Sequence, residues 1–237
     1  MKRGDALSGR ARQSGRPGSG QHRPPAPAVA PDAGERFDAA FYQRYYLDPE
    51  TRVASRDDAE RLGNAFCAQL AYFGVPVRRV LDAGCGLGYL RRPVRRFFPR
   101  ARYTGLETSP WLCRRHQWVR GTVEDYRPAE PFDLVICHDV LQYLDDRVAA
   151  RAIANLGRMT RAALFVSVLT QEDWHRYADQ RLTDDRVHLR PADWYRRRLR
   201  RHFWSLAGGL LLRNSLKPLR WELERPWPSG SGGSPAR

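Results

Sequence analysis

Val80-Leu81-Asp82-Ala83-Gly84-Cys85-Gly86-Leu87-Gly88-Tyr89-Leu90 is the stretch on which the reading of this chain turns. Val80 and Leu81 form a short apolar run that ends in an acid. Three glycines then alternate with other residues before apolar positions resume at helical spacing. That order predicts a buried strand, a tight turn and a helix start. Glycine is required where backbone passes close beneath a ligand, because a Cβ there would collide with it. The free N–H groups of the following helix face the same ligand.

Working outward, the next apolar run is Tyr103-Thr104-Gly105-Leu106, and it ends in Glu107, nineteen residues past Gly88. An acid at the tip of a second strand is placed to accept hydrogen bonds from ribose hydroxyls. Dinucleotide binding calls for G-x-G-x-x-G, but the glycines here run G-x-G-x-G and Tyr89 stands where the third glycine belongs. Asp82 points the same way, since an anion there repels pyrophosphate and attracts an ammonium group. A cofactor with a ribose, an ammonium and no phosphate fits best, namely S-adenosylmethionine. Its expected contacts are Asp82, Gly84, Cys85, Gly86, Gly88, Glu107 and the adjoining Thr108.

On these residues the chain resembles the class I S-adenosylmethionine-dependent methyltransferases over roughly residues 78–170, with weaker continuity to 225. Their glycine motif matches Asp82 through Gly88, and their ribose acid matches Glu107. Their third motif matches Gly121-Thr122-Val123-Glu124-Asp125-Tyr126, with Thr122 in place of the usual Asp. The resemblance therefore puts the adenine against Val123, Glu124, Asp125 or the local backbone. Phe132-Asp133-Leu134-Val135-Ile136-Cys137, followed by His138-Asp139-Val140-Leu141-Gln142-Tyr143-Leu144, is similar to the small-molecule, ubiquinone-pathway branch. That match implies His138 beside the sulfonium and its methyl group. Asp133, at the strand start, reads as a turn residue.

Composition sets the outer limits. With 237 residues and 42% hydrophobic content, the chain can bury one substantial core. Cys67, Cys85, Cys113 and Cys137 lack C-x-x-C spacing, which predicts reduced thiols and a cytoplasmic protein, with no metal site. No apolar run approaches the length of a membrane span, and the basic N-terminus lacks the hydrophobic segment of a secretory signal. The net charge of +15 raises nucleic acid as a partner, but the observation is weak. Of 41 basic residues only Lys2 and Lys217 are lysine, the arginine bias that a GC-rich coding sequence produces whatever the ligand. The arginines are also spread over nearly every predicted helix, whereas a phosphate-tracking surface gathers charge in one stripe.

Residues 1–34 are Gly, Ser, Pro, Arg and Ala-rich and read as a disordered tail, as do 228–237. The folded unit is expected from 35 to 227. Its leading helical segment, 35–77, carries Phe41, Tyr42, Tyr45 and Tyr46, which either pack on the domain or form a lid. In a lid, Arg52 could reach the cofactor carboxylate. Ser55 is a good N-cap for a helix with Leu62, Phe66, Leu70 and Phe73 on one face. Strands are expected near 79–83, 103–107, 117–121, 133–137 and 162–168 with helices between. A closing hairpin is expected from 204–213 and 219–224. The fold class is thus α/β: a doubly wound, seven-stranded, mostly parallel sheet with helices on both faces and an antiparallel final hairpin. Residues 170–191, long for a connection, are read as an insert that shapes the substrate site.

Methyl transfer from a sulfonium depends mainly on placing the nucleophile in line. A protonated oxygen or nitrogen acceptor also needs a base within reach. His138 is the first candidate and His188, in the insert, the second. The leading expectation is a soluble methyltransferase with a small-molecule acceptor. A protein or RNA methyltransferase, and a non-catalytic protein that binds S-adenosylmethionine, remain alternatives.

Overall fold

The computed structural model describes residues 36–221 and 224. The expected tails at 1–34 and 228–237 lie outside them. In chain order the elements are α1 (Ala39–Tyr42), a π-helical turn (Gln43–Leu47), α2 (Arg56–Tyr72), β1 (Arg79–Ala83) and α3 (Arg91–Phe97). Next come β2 (Arg102–Glu107), α4 (Pro110–His116), β3 (Val119–Arg120), β4 (Phe132–His138) and a 3₁₀ turn (Leu141–Tyr143). The series closes with α5 (Asp146–Met159), β5 (Thr160–Ser167), α6 (Gln171–Arg176), α7 (Ala192–Leu199), β6 (Phe203–Ala207) and β7 (Leu210–Arg213).

One seven-stranded sheet runs in the order β3-β2-β1-β4-β5-β7-β6. The first five strands pair in parallel, whereas β7 is antiparallel to both β5 and β6. The sheet is buried on both faces, so its central strands are apolar throughout and alternate residues serve opposite cores. Leu164 and Val166 of β5 join Ile153 and Leu156 of α5 and Tyr195 and Leu199 of α7 on one side. Ala163 and Phe165 join Phe66 and Leu70 of α2 and Val94 of α3 on the other. Phe66 and Phe165 stack with ring centroids 4.4 Å apart. Ser55 closes a capping box: the Asp58 N–H donates to Ser55 Oγ (3.1 Å) and the Ser55 N–H donates to Asp58 Oδ2 (2.9 Å).

Three local expectations are corrected. The final hairpin folds inside 203–213, not between 213 and 219, because Gly208 and Gly209 both adopt positive φ (52° and 82°). That pair makes the two-residue turn whose twist matches paired strands. Asp133 is a buried member of β4, not a turn residue. Its carboxylate accepts the Arg78 and Arg79 N–H groups (both 2.9 Å) and so pins the start of β1 beside β4. The third strand is only two residues long, since Gln117 turns left-handed (φ 58°) to end α4 and β3 pairs with β2 alone. Among the described residues all four cysteines are free, and no helix is long and apolar enough to cross a membrane.

Candidate functional site

The carboxyl ends of β1, β2 and β4 meet at the strand-order reversal, where open parallel sheets bind ligands. A cavity of about 710 Å³ lies there, a size that holds drug-sized ligands. Its wall includes Asp82 of β1, Gly84, Cys85 and Gly86 from the turn after it, and Glu107 and Thr108 from the end of β2. Thr122, Val123 and Glu124 follow β3, and His138 ends β4. Phe41, Tyr42 and Tyr46 of the leading segment line it as well.

Glu107 organises the turn. Only 3% exposed, it accepts the Gly86 N–H on Oε2 (2.9 Å) and the Thr108 and Ser109 N–H groups on Oε1 (2.8 and 2.9 Å). A carboxylate has room for about four donors, so capacity remains for a ligand hydroxyl. The Leu106 carbonyl accepts the Gly84 and Cys85 N–H groups, and Trp118 Nε1–H donates to the Gly86 carbonyl (3.0 Å). The loop is therefore held in shape by the chain itself.

The three glycines do different work from the one role expected of them. A Cβ on Gly84 would meet Val140 Cγ2 at 2.3 Å, and one on Gly88 would meet Trp118 at 2.7 Å. Both are demanded by protein neighbours. Gly86 alone has open room, its nearest neighbour being the Tyr42 ring at 3.5 Å, and all three have positive φ.

Asp82 is 2% exposed and accepts the Tyr103 hydroxyl. Burial lifts its pKa to about 7; the Tyr103 hydrogen bond opposes that rise and the Glu107 charge adds to it. Burial likewise pushes the Tyr42 and Tyr46 hydroxyls well above their ordinary value, so both stay neutral. Five wall residues carry buried polar atoms with no partner among the described residues: Arg36 Nε, Thr108 Oγ1, Thr122 Oγ1, Glu124 Oε2 and His138 Nδ1. His138 Nε2 lies 3.4 Å from Asp139 Oδ2.

Four expected residues are not brought to this cavity. Gly88 sits behind the turn, packed toward Trp118. Asp125 points outward to Arg151. Arg52 is exposed and off the wall. His188 is exposed too; its N–H donates to the Gln142 carbonyl (2.7 Å), which ties the chain down but leaves the imidazole outside.

A second cavity of about 540 Å³ adjoins the first, with Tyr46, Val53, Asp139 and Tyr143 lining both. The 170–191 segment supplies part of its wall through Asp173, Tyr177, Asp179 and Asp184. Arg190, 3% exposed, moors this segment: Nη1 donates to the Leu141 carbonyl (3.2 Å) and to the Tyr195 hydroxyl (2.9 Å), and Nε pairs with Asp146 (2.6 Å). In a chain so rich in arginine, no sequence signal separates Arg190 from its solvated neighbours. Asp139 lines both cavities and Gln142 the second, although within the motif at 138–144 only His138 stands out by its chemistry.

The donor set suits a phosphate-free nucleoside. Two buried acids, Asp82 and Glu107, flank the glycine turn, an arrangement that disfavours a pyrophosphate. Comparison with known proteins agrees. The trans-aconitate 2-methyltransferase of Klebsiella pneumoniae (strain 342) is 28% identical over 154 residues, 58% of this chain and 61% of that one. The malonyl-[acyl-carrier protein] O-methyltransferase of Dechloromonas aromatica (strain RCB) is 33% identical over 132 residues, 52% of this chain and 49% of that one. The chain thus matches roughly half to three-fifths of these relatives' lengths. The magnesium protoporphyrin IX methyltransferase of Synechocystis PCC 6803, solved with bound S-adenosylmethionine, shares the fold. Its TM-score is 0.55 at 17% identity, over 80% of this chain and all of that one. A methyltransferase-domain profile matches residues 40–223, and the chain belongs to that family, whose methyl donor is S-adenosylmethionine.

Proposed function

We propose that this protein transfers the methyl group of S-adenosylmethionine to a small molecule. The observation that carries the reading is the pair of buried carboxylates, Asp82 and Glu107, flanking the glycine turn on the wall of the first cavity. Glu107 accepts a ribose hydroxyl with the capacity its three amide bonds leave free. Asp82 pairs with the ammonium of the amino-acid moiety. Val123, Thr122 and Glu124 border the adenine, with the unpartnered oxygens of Thr122 and Glu124 available to it. The donor supplies an electrophilic methyl on a sulfonium. The chain supplies placement and exclusion of water, through Phe41, Tyr42 and Tyr46 along the cavity wall.

A small acceptor suits a site walled by aromatic rings, and the two curated relatives carry names that specify trans-aconitate and malonyl-[acyl-carrier protein]. The test is calorimetry of the purified protein with S-adenosylhomocysteine. Binding is expected, and Gly86→Arg should abolish it by driving a long side chain from the turn toward Tyr42. The reading fails if neither S-adenosylmethionine nor S-adenosylhomocysteine is taken up while a nicotinamide or flavin nucleotide is.

A further inference from the structure

We infer that the second cavity receives the methyl acceptor as a cationic amine, held by Asp139 and Gln142, so that the protein is an N-methyltransferase; this rests on the reading of the first cavity as the cofactor site. The chain carries a net charge of +15 and 41 basic residues, yet among the described residues the wall of the second cavity has no Lys, Arg or His. It has four aspartates and four tyrosines instead.

Three of the aspartates are already engaged. Asp173 caps α6 by accepting the Thr170 N–H and hydroxyl (3.2 and 2.6 Å). Asp179 accepts the Arg181 N–H (3.0 Å), and Asp184 pairs with Arg36 at 2.7 Å. Asp139 differs. Its ionic neighbour is His138 at 3.4 Å, its side chain is 40% exposed, and it stands where the two cavities join. Its backbone is fixed in the left-handed region (φ 54°), with its N–H donating to the Ser167 carbonyl (3.0 Å). The second observation is Gln142. It is 4% exposed and lines the second cavity, and its Oε1 has no partner among the described residues.

An ammonium group has donors and no acceptor, which matches a carboxylate and an amide oxygen on one wall. Tyrosine faces attract the same charge. A carboxylate-bearing acceptor would face four aspartates, while the Arg36 guanidinium beside Tyr143 is already paired with Asp184 (2.7 Å). For transfer, the ammonium gives a proton to the Asp139 carboxylate, whose exposed edge passes it to water. The nitrogen lone pair then forms the N–C bond as the C–S bond breaks, and sulfur keeps the bonding pair. One positive charge thus moves from sulfur to nitrogen and one leaves as the proton, so charge balances.

Two measurements test this on the full chain. The first titrates phenethylamine and its carboxylate counterpart, 3-phenylpropionate, into protein saturated with S-adenosylhomocysteine. Phenethylamine should bind at least about tenfold more tightly, a difference of about 1.4 kcal/mol, and Asp139→Asn should reduce the preference to under about threefold. Asparagine tolerates the left-handed backbone, and a circular dichroism melt checks that the variant folds. The second supplies labelled S-adenosylmethionine and the small-molecule fraction of a cell extract. Label should appear in base-stable product retained on cation exchanger, and Asp139→Asn should cut it at least about tenfold. Equal or reversed preference between the probes, failure of phenethylamine to bind, or label released by alkali as methanol overturns the amine assignment. So does no label in the cationic fraction while S-adenosylhomocysteine still binds. Failure of S-adenosylhomocysteine itself to bind instead overturns the reading of the first cavity.

Discussion

The two adjoining cavities are built in opposite ways. The first is organised by backbone: a glycine turn, the tips of three strands, and a carboxylate, Glu107, that gathers three amide N–H groups from two loops. The second is made of side chains from segments far apart in sequence, at Tyr45, Asp139, Gln142 and Asp184 among others. A backbone cradle tolerates little change and serves one ligand throughout a family. A side-chain wall can be rewritten one residue at a time, which is where an acceptor preference can diverge without disturbing the donor site.

The largest expected effect lies at the centre of the cradle. Glu107→Ala strands three donors around a buried site, costing about 3–5 kcal/mol in urea unfolding and at least about a hundredfold in S-adenosylhomocysteine affinity. An ordinary melting curve with full binding would show that the loop does not depend on this carboxylate.

The glycines provide the next test, because they separate packing from ligand clearance. Gly84→Ala should lose about 2–4 kcal/mol through its clash with Val140 and its left-handed backbone, with part recovered in a Val140→Ala background. Gly86→Ala faces the backbone strain alone and should lose about 1–2 kcal/mol. Equal losses, with no recovery, would remove the distinction.

Asp82 ties the cradle to pH. Its folded-state pKa of about 7 stands above the usual carboxylate value near 4. Between those limits the native chain holds a proton that the unfolded chain has released. This contribution to stability is therefore full below about pH 4 and is lost as pH rises through about 7. An ammonium ligand favours the ionised form, so binding should release a proton, and affinity should weaken by about tenfold between pH 8 and pH 6. Calorimetry in buffers of different ionisation enthalpy reads the proton directly, and Asp82→Asn should abolish the dependence.

The smallest effect is expected at His188. Its imidazole faces neither cavity, and its structural contact uses the backbone N–H, which alanine retains. His188→Ala should leave methyl transfer within about twofold of the parent, well under the tenfold that 1.4 kcal/mol represents. A loss of a hundredfold would place that ring in the chemistry after all.

How far the sequence could be read follows the same division. The parallel strands at 79–83 and 103–107, the Ser55 cap and the acid at Glu107 were legible because each depends on neighbours within a few residues or on strand–turn–helix order. The closing hairpin was misplaced because 203–213 is apolar enough to pass for one strand, and the positive φ of Gly208 and Gly209 is what folds it in two. Arg52, Asp125 and His188 have suitable chemistry and plausible places in the chain, but none of them lines the first cavity.

By itself, then, the sequence determined the doubly wound sheet and the turn between β1 and α3, since glycine conformations and strand periodicity are properties of local backbone. Only the tertiary structure decided which protein neighbours require Gly84 and Gly88. It also decided that Arg190 is a mooring and not a solvated charge, and that Asp139 and Gln142 share a wall with the 170–191 segment. The physical reason is direction: a side chain's role depends on which distant surface its Cβ faces, and that is fixed when the layers pack.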